Sequence, residues 1–91
     1  MIIRICTEDV NPVETRRLLN RFFNCYTIHR GDGSWNGTEE PSITIDLAIL
    51  EGGTPADRML ALATECAGEI KIQNHQEAVL LQVIDSINTL I

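Results

Sequence analysis

Chemically capable side chains crowd one short stretch of this sequence. His29, Asp32, Glu39 and Glu40 flank the sole tryptophan, Trp35, in "HRGDGSWNGTEEPS", residues 29–42. A histidine near carboxylates is the raw material of proton transfer or of a metal site. For either, the stretch must fold back so that His29 approaches Asp32 or Glu40. Glu39 and Glu40 are adjacent, and adjacent side chains of an extended segment point to opposite sides. They do not form an acid–base pair on their own. Trp35 has two uses open to it, a lid folded over one end of the protein or an anchor for a partner, since tryptophan is a common interface anchor. The plainer reading of these residues is solvated loop charge, with His29 and the second histidine, His75, at the surface. Trp35, Asp32, Glu39, Glu40 and His29 are the candidate binding residues.

A second group is basic. Arg17 and Arg21 stand four residues apart with Arg16 beside them. On a helix that spacing is one turn, so the two can meet an acidic partner, or be solvated and locally paired. The three cysteines, Cys6, Cys25 and Cys66, are odd in number and show no CxxC or Cys/His ligand spacing. They are expected as buried, reduced thiols. A closed zinc site needs about four clustered ligands. Neither phosphate-binding glycine pattern, GxGxxG or GxxxxGKS, occurs. "GDGSWNG" has glycines but no lysine, and no helix follows it. The sequence therefore points to no metal, no cofactor and no catalytic set. Asn36-Gly37 is a turn signal, and "NGT" there reads as a turn rather than a glycosylation site.

These residues must be positioned by regular elements, and the pattern supplies six. "MIIRIC" alternates as a strand, with Ile3 and Ile5 on one face and Ile2, Arg4 and Cys6 on the other. "NPVE" starts a helix by three signals: Asn11 as cap, Pro12 in the first turn and Glu14 at the capping-box position. Thr15, Leu18, Leu19, Phe22 and Phe23 then share a face. This predicts a helix over 12–24. "CYTIHR" reads as a second strand. "SITIDLAIL" is the clearest strand, with Ile43, Ile45, Leu47 and Ile49 inward. Residues 31–41 then form a long loop between strands two and three, with Gly31 and Gly33 supplying positive φ. In "GGTPAD" the glycines turn the chain, Thr54 caps and Pro55 opens a helix over 55–70. Its stripe is Met59, Leu62, Ala63, Cys66, Ala67 and Ile70. "EAVLLQVI" reads as the fourth strand and "DSINTLI" as a tail that packs or not. The order β-α-β-β-α-β with right-handed crossovers predicts an α+β, ferredoxin-like two-layer sandwich. Its four-stranded antiparallel sheet has spatial order 4-1-3-2, with both helices on one face.

The totals bound the function. Ninety-one residues make one small domain, here 1–91. The formal net charge is −6, and five of the seven basic residues lie at or before position 30. A nucleic-acid binder needs a positive footprint, and the predicted open sheet face lacks the aromatics on which RNA-recognition domains stack bases. "CTED" after the first strand is not the CxxC of metallochaperones. "TEDVNP" has neither the glycine nor the arginine of an acylphosphatase-like phosphate cradle. No signal peptide and no transmembrane span are read, so the expected address is cytoplasmic, with no membrane partner.

"GSWNGTEEPSITIDL" and "NHQEAVLLQVI" resemble the central hairpin and the helix-to-last-strand passage of small, mostly uncharacterised ferredoxin-like proteins of bacteria and phages. The resemblance implies fold and carries no catalytic residue. The sequence thus favours a non-enzymatic interaction module, self-associating as a homodimer, with a protein partner through the 31–41 loop. A phage-type inhibitor of a host protein is one form of it. The alternative is a small enzyme or small-ligand binder using a pocket in the 29–42 loop. The open sheet face mixes Ile2, Cys6, Leu80 and Ile84 with Arg4, Asp46 and Gln82. A monomer rarely leaves a large apolar patch bare, and Arg4 and Asp46 are expected to pair across or beside a dimer interface.

Overall fold

The computed structural model describes residues 1–50, 52–76 and 78–84. Its elements follow in the order β1 (Ile2–Glu8), α1 (Pro12–Phe22), β2 (Thr27–Trp35), β3 (Thr38–Ala48), α2 (Ala56–Gln73) and β4 (Leu80–Ile84). The strands make one antiparallel sheet in the order β2-β3-β1-β4. This is the ferredoxin-like α+β arrangement that the hydrophobic pattern predicts.

Alternation decides which side of the sheet is buried. Ile3 and Ile5 of β1, and Ile43, Ile45 and Leu47 of β3, meet Leu18, Leu19 and Phe23 from the α1 region and Ala63, Cys66 and Ile70 of α2 in one core cluster. Each large aliphatic buried there contributes about 2–3 kcal/mol relative to exposure. Val79 and Leu81 pack on the same cluster from the β4 side. The opposite side of the sheet carries Ile2, Arg4, Cys6, Thr44, Asp46, Ala48, Leu80 and Gln82, by their cross-strand pairing. Among the described residues no element of regular structure covers that side.

The helix ends depart from the sequence reading by small amounts with clear causes. Asn11 caps α1 as expected, its Oδ1 accepting the Glu14 N–H at 3.5 Å. The helix stops at Phe22 rather than 24, because Phe23 turns extended (φ −134°, ψ 142°) and still reaches the core. The second helix starts at Ala56, with Pro55 at the cap position and no side-chain cap bond, so Thr54 does not cap. It continues past Ile70 to Gln73, because Asn74 ends it as a buried cap whose amide donates to Thr15 Oγ1 at 3.4 Å.

Three expectations are corrected. Residues 31–41 are not a long loop. Strands β2 and β3 run through them, and the turn is only Asn36-Gly37. Both residues have positive φ (50° and 79°), as the two-residue hairpin turn that matches strand twist demands. Gly31 and Gly33 therefore sit in strand, and positive φ belongs instead to Gly37 and Gly52 among the glycines. The cysteines are not all buried: Cys66 is, Cys6 is half-buried and Cys25 is exposed, and all three are free thiols.

The fourth strand begins at Leu80, later than "EAVLLQVI" suggests, and Glu77 lies outside the described residues. The side chain of Gln76 takes the place of a strand there. Its Oε1 accepts the Glu8 N–H (3.3 Å) and the Thr7 hydroxyl (2.7 Å), and its Nε2 donates to the Glu8 carbonyl (3.4 Å). The tail "DSINTLI" from 85 onward lies outside the described residues.

Candidate functional site

Unequal strand lengths create the most distinctive surface. Strand β1 ends where Glu8 pairs with Ser42, while β2 and β3 go on pairing from Asp32–Pro41 to Trp35–Thr38. The hairpin thus projects past the sheet as a two-stranded arm of four residue pairs, about 13 Å long at a strand's rise. Its root is held by the Asp9 N–H donating to the Pro41 carbonyl at 2.9 Å and by Arg30 Nε, 3.5 Å from Asp9 Oδ2.

Four of the five candidate binding residues lie on this arm, but they do not converge. Directly paired residues share a face. Asp32 pairs with Pro41 and Ser34 with Glu39, so Asp32 and Glu39 lie on the helix-side face. Glu40 pairs with Gly33 on the opposite face. Trp35 pairs with Thr38 next to the turn. His29 is not on the arm. It pairs with Thr44 within the sheet, four residues from Glu40's partner position. That is about 13 Å of strand, so the fold-back that would bring His29 to Asp32 or Glu40 does not occur.

His29 instead meets a residue pair on the open face. Its Nε2 lies 3.7 Å from Asp46 Oδ2. Asp46 is held by Arg4, directly opposite it in the sheet. Arg4 Nε donates to Asp46 Oδ1 at 2.7 Å and Nη2 to Oδ2 at 3.1 Å. This two-bond geometry is the strong form of a carboxylate–guanidinium contact. The hydrogen bond from Arg4 holds the Asp46 carboxyl below the usual carboxylate range, against the opposing effect of burial. The pairing is inside one chain, which fits a pair beside an interface rather than one across it.

Between the arm and the α2–β4 connection lies a cleft of about 650 Å³, reaching from Cys6, Glu8 and Ser42 to Glu40, Gln76 and Leu80. Its size falls in the range of small-molecule sites. It exists because β1 stops early and the Gln76 clamp begins where β1 ends. A Cβ added at Gly33 would come within 3.2 Å of Ser42 Cβ, a tight contact that Ser42 would have to yield to by a few tenths of an ångström. Sequence reading found Glu40 of this cleft but missed Glu8, Ser42 and Gln76, whose proximity depends on strand register. A second cleft, about 660 Å³, opens at the far end near Asn20, Tyr26, His29 and Asp46. There the Tyr26 hydroxyl donates to Asn20 Oδ1.

The arginines of α1 are exposed and weakly paired. Arg17 Nη1 lies 3.4 Å from Glu14 and Arg21 Nη1 3.9 Å from Glu69. Burial pushes the Cys66 thiol up to about 12, which makes it inert at neutral pH. Among the described residues no three His, Cys, Asp or Glu side chains stand together as metal ligands. No helix among them is long and apolar enough to cross a membrane.

The elements and their order make a one-sided βαββαβ sandwich of the ferredoxin-like class. No family model matches the chain, and no curated protein does. Among solved structures it is similar to a phage SAM lyase in complex with S-methyl-5′-thioadenosine, with 18% identity and a TM-score of 0.60 over 88% of this chain and 76% of that one. CutA1 from Pyrococcus horikoshii OT3 matches at 23% identity over 97% of this chain and 87% of that one, with a TM-score of 0.46. What the likeness to the phage protein shows is the fold.

Proposed function

We propose that this chain is a binding protein that self-associates, and that its projecting arm is part of the contact. The arm carries the reading. Two strands without a third neighbour are marginally stable in water, yet this pair keeps four residue pairs beyond the sheet. The sheet face that none of the described elements covers supports it, with Leu80 at 55% exposure beside Ile2, Cys6 and Ala48. Light scattering at micromolar concentration should give a mass of two chains or more, falling on dilution. A strict monomer sinks the reading. Trp35→Ala should keep the fold and weaken association. A variant that unfolds instead, losing more than about 3 kcal/mol as for a core aromatic, makes Trp35 a structural residue.

A second reading rests on the cleft. The structurally similar phage protein is a SAM lyase holding S-methyl-5′-thioadenosine, and this chain has a cleft of about 650 Å³ beside its arm. On this reading the chain binds a nucleoside of that type there and acts on S-adenosylmethionine. Isothermal titration with S-methyl-5′-thioadenosine tests the binding, and chromatography of S-adenosylmethionine incubated with the protein tests the reaction. No heat and no product would leave the first reading alone.

A further inference from the structure

We infer that the acidic side of the arm of one copy docks on the arginines of α1 in a second copy. The inference rests on the self-association proposed above and names its surfaces. On the arm, Asp32 and Glu39 are exposed and share the helix-side face as diagonal neighbours across the β2–β3 pair. Diagonal neighbours in such a pair stand about 7 Å apart, within reach of one another, and like charges there repel. Neither carboxylate has an ion-pair partner among the described residues, and no Lys or Arg lies between Asp32 and Pro41. Two like charges thus stand together on a protruding ribbon, and the arginine nearest along the strand, Arg30, is turned to Asp9 at the root.

The complementary surface is α1. Arg17 and Arg21 are one turn apart, about 6 Å along the axis, with side chains 68% and 64% exposed. Their spacing matches that of Asp32 and Glu39. Their present partners do not tie them down. Glu14 is 3.4 Å away and Glu69 3.9 Å, and exposed pairs of this kind contribute little. Arginine also accepts a second carboxylate readily, because its fork offers five donors. In a two-fold dimer this contact forms twice, each arm reaching the other copy's α1.

Charge reversal on each side tests this. Arg17→Glu with Arg21→Glu, and separately Asp32→Lys with Glu39→Lys, should each raise the dissociation constant at least tenfold, measured by sedimentation equilibrium. Circular dichroism checks that each variant is folded. An equimolar mixture of the two variants should regain the wild-type constant, because every contact is then again between opposite charges. A wild-type protein that is monomeric throughout overturns the self-association itself. A wild-type oligomer that both reversals leave intact overturns only the arm-to-α1 contact. Loss of association in both variants without recovery in the mixture also overturns it, since the charges then act other than on each other.

Discussion

Asp46 is where a single side chain connects stability to solution conditions. Arg4 donates two hydrogen bonds to it, at 2.7 and 3.1 Å, and His29 stands 3.7 Å away. The folded protein holds this carboxyl below its ordinary value, chiefly through the Arg4 hydrogen bond. Linkage then fixes the sign. The unfolded chain binds the proton more tightly, so the stabilisation is fully present above the ordinary aspartate value of about 4. It fades as pH falls through the lower, folded value. Asp46→Asn should therefore lower the melting temperature at pH 7, and its deficit should shrink as the pH is taken down from 4. A deficit that stays constant with pH would mean that packing, rather than charge, makes Asp46 matter. At this scale the sequence shows residue types but not meetings. Arg4 and Asp46 are 42 positions apart and meet only because register sets them opposite each other.

The hairpin and α2 show how an element absorbs a change. Gly37 sits in the turn at φ 79°, where a side chain with a Cβ pays about 1–2 kcal/mol. Its neighbours on the arm lie outside the core, so the loss should be local. Gly37→Val should speed amide exchange across residues 32–41 by about an order of magnitude while the melting temperature barely moves. A clear drop in melting temperature would show that the arm is coupled to the core. Gly68 is the reverse case. It lies in α2, exposed, and a Cβ added there meets nothing within 4 Å. Gly68→Ala should raise the unfolding free energy by about 0.5–1 kcal/mol in urea titration, the helix-propensity difference. At the scale of elements the sequence was largely legible, because periods of 2 and 3.6 and the "NPVE" start are local signals. It failed where a local signal has two outcomes. Gly31, Asp32 and Gly33 have loop composition, yet cross-strand bonding to β3 keeps them in strand.

Cys66 reports on the whole molecule, since it is fully buried between α2 and the sheet and its thiol is raised to about 12. In the native protein at pH 8, a thiol reagent should modify exposed Cys25 within minutes and leave Cys66 untouched. Labelling of Cys66 should follow the opening of the core, so its rate should rise with denaturant in step with global unfolding. Rapid native labelling of Cys66 would mean the core opens at α2 alone. What the sequence by itself determined is what local pattern encodes: which face of each element is apolar, where α1 begins, the Asn36-Gly37 turn, and, through the handedness of crossovers, the strand order. What only the tertiary structure decided is relative length and register. Strand β1 stops at Glu8, Gln76 closes the sheet edge beside it, and β3 begins at Thr38, so an arm projects and a cleft opens next to it. Those facts depend on which strand finds which hydrogen-bond partner. No residue carries that information alone, because a backbone N–H bonds as well to a distant strand or a glutamine side chain as to the next turn of a loop.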